Sequence, residues 1–195
     1  MQYWQNLVKQ NCTESIYSDN HKKMIMSNQP DPVKQNIIDW CNADNIPFED
    51  KSSEYPSMDW TLMIMKRVAV YKQKRFSDRI YFHAGFNFAP EHKTLIDGNN
   101  QLRNEIILQI PLLLCQMDVT SKIEGTGNNI TGISLSKVHF HSSIKKADFL
   151  SLYTKVFQVF QALLNQLSIK LKVTLQQLQQ NQLSPSPDAS DVGIG

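Results

Sequence analysis

The chain has 195 residues, 41% of them hydrophobic, and a formal net charge of +2. That length fits one domain with tails, and that hydrophobic share supplies a core and excludes global disorder. A charge so close to balance excludes a strongly basic nucleic-acid module but leaves room for a local basic patch.

No apolar run reaches the roughly 18–20 residues needed to span a bilayer. The longest apolar-rich stretch, IILQIPLLLCQM at 106–117, is interrupted by Gln109 and Pro111. The opening MQYWQNLVKQN has no charged region followed by an apolar one, so no secretory leader is expected. Cys12, Cys41 and Cys115 are odd in number, far apart and without a CxxC pair, which argues against a zinc ribbon or a disulfide framework. A reduced, cytoplasmic setting is the expectation. The glycosylation patterns at Asn11 and Asn129 are then read as chance.

Residues 1–30 are rich in Asn, Gln, Ser and Lys and show no sustained period, which predicts an extension outside the core. Met26 is an alternative start within it. The first firm element opens at Asp31-Pro32, with Asp31 suited to cap a helix and Pro32 to its first position. Val33, Ile37, Trp40 and Cys41 follow helical spacing, and Asn42 to Asn45 end it. A short strand is expected at Ile46–Phe48 and a loop at 51–57. From Trp60 to Phe88 the apolar residues alternate over a long stretch, which predicts a three-strand antiparallel meander. Its reversals are placed at Lys66-Arg67 and at 74–78.

Pro90 opens a short helical turn that Gly98 ends. Leu102, Ile106, Ile110, Leu113 and Met117 then share a helical face, with a kink expected at Pro111, which lacks a backbone donor. Two strands follow, at 119–124 and 130–141. The last element is long: Phe149, Tyr153, Val156, Phe160, Leu163 and Leu167 form a heptad seam, and Leu150, Phe157, Leu164 and Leu171 widen it. The expected fold is α+β: a curved antiparallel sheet, helices on one face, and a long C-terminal amphipathic helix. The expected domain is 31–180, with a disordered tail over 181–195.

The helix ending after a Trp, the DWTLMI strand, the VAVYKQ–RIYFHAGF hairpin, the middle helix, the late strand pair and the closing helix occur in a recognisable order. Over roughly residues 31–172 it resembles the type III secretion chaperone-like fold, with YbjN-type proteins and archaeal domains of unknown function that share it. The resemblance implies helices packed on one face of a curved sheet, and non-catalytic binding of protein segments, often as a dimer. It carries no active-site residues. The N-terminal arm, the Gln-rich C-terminus and the non-acidic charge depart from the usual small domain of that group.

Three surfaces suggest themselves. DWTLMIM is apolar on both sides of a strand, whereas a sheet in a small domain usually buries one side. Trp60, Met63, Met65 and Phe86 are therefore candidates for an apolar partner-binding face, with Phe149, Tyr153 and Phe160 on the closing helix for self-association. Lys66, Arg67, Lys72, Lys74, Arg75 and Arg79, interleaved with aromatic residues, could hold a polyanion such as single-stranded nucleic acid; strands also carry such charges to discourage edge pairing. His83, His139 and His141 are the metal candidates, against the simpler reading of histidines on a solvated strand face. No nucleophile or phosphate-loop motif is present, and Cys41 and Cys115 both fall on apolar helical faces where a thiol is expected to be inert. The leading expectation is a non-enzymatic protein-binding module without a cofactor, with another protein or a second copy as its partner.

Overall fold

A computed structural model describes residues 31–126 and 129–183. The expectations for the N-terminal extension and for the tail beyond Leu183 fall outside them.

Helix α1 spans Pro32–Ala43. The Asp31 carboxylate accepts from the amides of Val33 and Lys34, and Pro32 occupies the first turn, as the residue types predict. The helix stops where Asn45 takes a left-handed conformation (φ 53°) that asparagine tolerates. Strand β1 is Phe48–Asp50, a little later than the expected Ile46–Phe48. A 3-10 turn at Ser52–Glu54 leads into the meander: β2 (Met58–Ile64), β3 (Val68–Gln73) and β4 (Phe76–Asn87).

The β2–β3 reversal holds the expected Lys66-Arg67 between the paired Ile64 and Val68, and its first two residues are Met65 and Lys66. Both have positive φ (49° and 56°), and the Arg67 amide closes the turn on the Ile64 carbonyl at 3.0 Å. Two left-handed residues thus open a three-residue loop, made here without Asn or Gly. Met65 thereby leaves the strand and its row with Met63.

Helix α2 is Pro90–Gly98 and α3 is Asn100–Asn104, capped by the Asn99 side chain on the Leu102 amide. The expected kink is a π turn at Glu105–Gln109, after which α4 runs Ile110–Gln116 with Pro111 in its first turn. Proline removes a donor and obstructs the preceding turn, and the wider π turn accommodates both. The core face is Leu102, Ile106, Ile110 and Leu114, so Leu114 takes the place expected for Leu113. Cys115 is exposed, against expectation, while Cys41 is buried.

Strands β5 (Thr120–Thr126) and β6 (Asn129–Phe140) complete a six-stranded antiparallel sheet in the order β1-β2-β3-β4-β6-β5. The sheet is open and curled. A 3-10 turn at His141–Ser143 joins it to helix α5, Lys146–Leu183, 38 residues long. The Asp148 carboxylate reaches back to the Lys145 amide at 3.1 Å, half of a capping box. The helix continues past residue 180, where the domain was expected to end.

The register places Leu62, Val70 and Phe82 in one lateral row and Ala84 beside Leu135. This side of the sheet, with Trp60, Ile64, Val68, Ile80 and Ile133, forms one core with the buried residues of all five helices. The heptad seam of α5 lies in that core: Phe149 sits 5.7 Å from Trp40 and 6.0 Å from Phe82, ring to ring, and Phe160 sits 6.1 Å from Phe86. Phe149 is fully buried. Truncating it to alanine should cost about 3–5 kcal/mol, the range for large aromatic core residues. Urea unfolding of the Phe149→Ala variant measures this, and a cost under 1 kcal/mol would contradict the packing described.

Candidate functional site

The sheet's two sides differ in chemistry because side chains alternate along a strand. On the helix side Trp60, Lys72, Ile80 and His139 lie in one lateral row. Lys72 and His141 both reach the Asp31 carboxylate, Lys72 Nζ at 2.7 Å and His141 Nε2 at 2.9 and 3.0 Å. Asp59 also pairs with Lys72 at 3.5 Å. The N-cap of α1 is thus tied to β3 and to the 3-10 turn that follows β6. Burial alone would push the Asp31 carboxyl up. The Lys72 ammonium, the His141 ring, the Lys34 amide and the facing Trp60 indole together hold it well below the usual carboxylate range. The Trp60 indole does not meet that carboxylate in hydrogen-bond geometry. Its nitrogen and His139 Nε2 are buried with no hydrogen-bond partner among the described residues.

On the other side of the sheet are Thr61, Met63, Ala69, Tyr71, Tyr81, His83, Ser134 and Glu124. These residues lie outside the helix-side core, yet Met63, Ala69 and His83 are buried. Tyr71 and Tyr81 stack with ring centres 5.2 Å apart, and Glu124 accepts from the Ser134 hydroxyl at 2.8 Å and pairs with Lys122 at 3.0 Å. Burial, with the Lys122 charge as a second cause, pulls His83 down to about 4. Burial likewise pushes the Tyr71 hydroxyl far up and the Cys41 thiol up to about 11. A thiol so raised is protonated and inert.

The residues expected to form sites are mostly separated. Of the three histidines, His83 faces one side of the sheet and His139 the other, and His141 is engaged by Asp31. Among the described residues no group of three or more His, Cys, Asp or Glu could hold a metal. The basic cluster divides. Lys66 and Arg67 sit at the β2–β3 turn, with Lys66 paired to Glu49 at 3.8 Å. Lys74, Arg75 and Arg79 sit at the other end of β3, a six-residue strand about 20 Å long. Lys72 points to the helix side and is taken up by Asp31 and Asp59, so it is not offered to a polyanion.

Of the apolar candidates, Trp60, Phe149, Tyr153 and Phe160 are core residues and Met63 is buried on the second side. The α5 seam is therefore spent on the chain's own sheet and is not free for self-association. Met65 is exposed in its turn, where its sulfur accepts from the Tyr153 hydroxyl at 2.7 Å, and Phe86 is half-buried.

Two apolar surfaces were missed by sequence. On the π turn and α4, Leu108 and Leu112 are 68% and 64% exposed. On α5, Ile169, Val173, Leu175 and Leu178 are exposed. A groove of about 390 Å³ lies between α5 and the β4–α2 junction, lined by Phe86, Phe88, Leu164, Leu167, Leu171 and Leu175, with His92 and Lys172 at its rim. A second, more polar groove of about 240 Å³ flanks α5 on the side of α3. Exposure follows from where the helix runs out of sheet to cover, a length the heptad pattern does not state. No helix among the described residues is long and apolar enough to cross a membrane.

The chain belongs to the DUF2299 family, an uncharacterized conserved protein family, whose model matches residues 33–167. No curated protein matches it. Its fold is similar to the crystal structure of an uncharacterized protein from Methanothermobacter thermautotrophicus, with a TM-score of 0.62 and 14% identity over 71% of this chain and 99% of that one. At that identity the likeness shows the fold. These findings support the archaeal part of the resemblance and not a secretion-chaperone or YbjN-type assignment.

Two acid transitions are expected. The lowered His83 binds a proton more readily unfolded than folded between its ordinary value and about 4. Stability should therefore fall as pH drops from about 6.5 to 4, by about 3 kcal/mol in all. The lowered Asp31 adds stability that is present above about pH 4 and is lost as pH falls further. Urea unfolding from pH 7.5 to 4.5 should show the first loss in the native chain and a much smaller one in His83→Asn. Asp31→Ala should cost about 2–3 kcal/mol at pH 7, because it removes a helix cap and leaves the part-buried Lys72 with only the more distant Asp59.

Proposed function

We propose that this DUF2299 family member is a non-catalytic protein-binding module, chaperone-like or an accessory subunit of a complex, and that its partner docks along the C-terminal half of α5. The observation that carries this is how the apolar row of α5 leaves the body. Leu167 and Leu171 are 3% and 6% exposed, while Leu175 and Leu178 are 44% and 43% exposed. The apolar surface continues after the sheet beneath it ends. From Leu175 to Gln180 every residue is exposed.

Contiguous apolar surface of this kind marks partner sites more often than scattered exposed leucines do. The groove beside it, floored by Phe86, Phe88 and Leu171, suits the apolar ridge of an incoming amphipathic helix, which inserts side chains one turn apart. Leu108 on the π turn and Leu112 on α4 add a second exposed apolar step. The dispersal of the histidines leaves the metal-enzyme alternative without a common site among the described residues.

The test replaces Leu175 and Leu178 with lysine in the full chain. Both are largely exposed, so stability should change by no more than about 0.5 kcal/mol. Light scattering across concentrations, and co-purification from the native host at low and high salt, should show an association in the native chain that the double variant loses and that salt barely alters. A strictly monomeric native chain whose retained proteins are unchanged by the two substitutions would refute the proposal.

A further inference from the structure

The far end of the β3–β4 hairpin carries a surface distinct from the α5 groove. Arg75 and Arg79 both lie over the ring of Phe76, their guanidinium carbons 5.4 and 5.6 Å from its centre. Arg79 is paired in register with Phe140 of β6, and the next pair on the same side is Tyr81 with Val138. Phe140 is 63% exposed, Val138 42% and Phe76 37%. Behind them stand the stacked Tyr71 and Tyr81 rings. Lys74 is exposed in the turn. The nearby acids are Asp78, 3.6 Å from Arg79, and Asp59, which is taken up by Lys72. Three cations thus face one carboxylate, Asp78, which is shared with Arg79.

We propose that this corner binds single-stranded nucleic acid, with a base stacked on Phe140 and the flanking phosphates on Arg75, Arg79 and Lys74. An exposed ring on the flat of a sheet beside pre-aligned guanidiniums suits a base with a phosphate on either side. Aromatic platforms recognise unpaired bases in this way without reading their edges. Holding each guanidinium over Phe76 reduces the freedom it would lose on meeting a phosphate. An acidic peptide would use the same cations, but it has no planar group for Phe140. The footprint is two or three nucleotides, so binding is weak and rests on few phosphates. The surface comprises only part of the basic run at 66–79, and it draws Val138 and Phe140 from a strand sixty residues later in sequence, about the length of β4 through β6.

The probe is a fluorescein-labelled dT12 strand, followed by anisotropy with the full chain at 20 and 150 mM salt. Neutralising two or three phosphates of a single strand predicts a slope of about −0.7 per phosphate in log affinity against log salt, or roughly a 15- to 70-fold loss between the two conditions. Phe140→Ala should weaken binding about tenfold, as expected for one stacked base. Arg79→Gln should weaken it and flatten the salt slope. Both residues are exposed, so both variants should fold. Leu175→Lys with Leu178→Lys should leave oligonucleotide binding unchanged, which separates this surface from the α5 groove. The proposal is overturned by no binding at 20 mM salt, by equal binding of the Phe140→Ala variant, or by tighter binding of a labelled poly-aspartate peptide than of dT12.

Discussion

Everything in this molecule is arranged by the need to cover one side of a six-stranded sheet with helices drawn from a short chain. Leu62, Val70 and Phe82 make that side continuous across three strands, and they cannot face water together without a large loss of burial energy. Helix α5 supplies the cover, and Phe149 is its anchor, set between Trp40 of α1 and Phe82 of β4. The shorter helices fill what remains. The π turn at Glu105–Gln109 belongs to the same constraint: it lets Ile106 and Ile110 both stay in the core on either side of a bend that Pro111 makes unavoidable.

Polar groups follow from the same geometry. The start of α1 must be held against the sheet, and Asp31 does this by serving both as helix cap and as acceptor for Lys72 and His141. One carboxylate therefore joins an element that is local in sequence to two that are distant. Asp118 plays a comparable part after α4, where it accepts from Lys137 of β6 at 2.5 Å and Lys155 of α5 at 3.0 Å. It also adopts the left-handed conformation (φ 55°) that ends its helix.

The fold was legible where a single physical signal governed each element. Asp31-Pro32 announced α1, the alternation from Trp60 to Phe88 announced the meander, and Pro111 announced the bend. The α+β architecture with one helix-covered side follows from these. The site was much less legible. A run of basic residues is contiguous in sequence, but β3 carries its two ends about 20 Å apart, and alternation turns Lys72 inward. The heptad seam of α5 reads alike whether it meets a partner helix or the chain's own sheet, and the core claimed it. Met65 looked like a strand residue because the β2–β3 turn contains neither Asn nor Gly. Phe140 and the exposed stretch of α5 could not be found from local pattern, since their exposure depends on where neighbouring elements stop.

Between Val173 and Leu183 the chain of α5 contains no charged residue, and its last turn has no basic residue to complement the helix dipole. A segment of that length is too short to start a helix in water unaided, because the first turn is the costly one. Here that cost is met upstream, by the part of α5 already docked on the sheet, and the exposed turns only propagate it. The exposed leucines are therefore presented in order only by a chain whose core has assembled. The apolar surface at this end of the molecule is thus a product of folding: an unfolded copy carries the same letters but not the same surface.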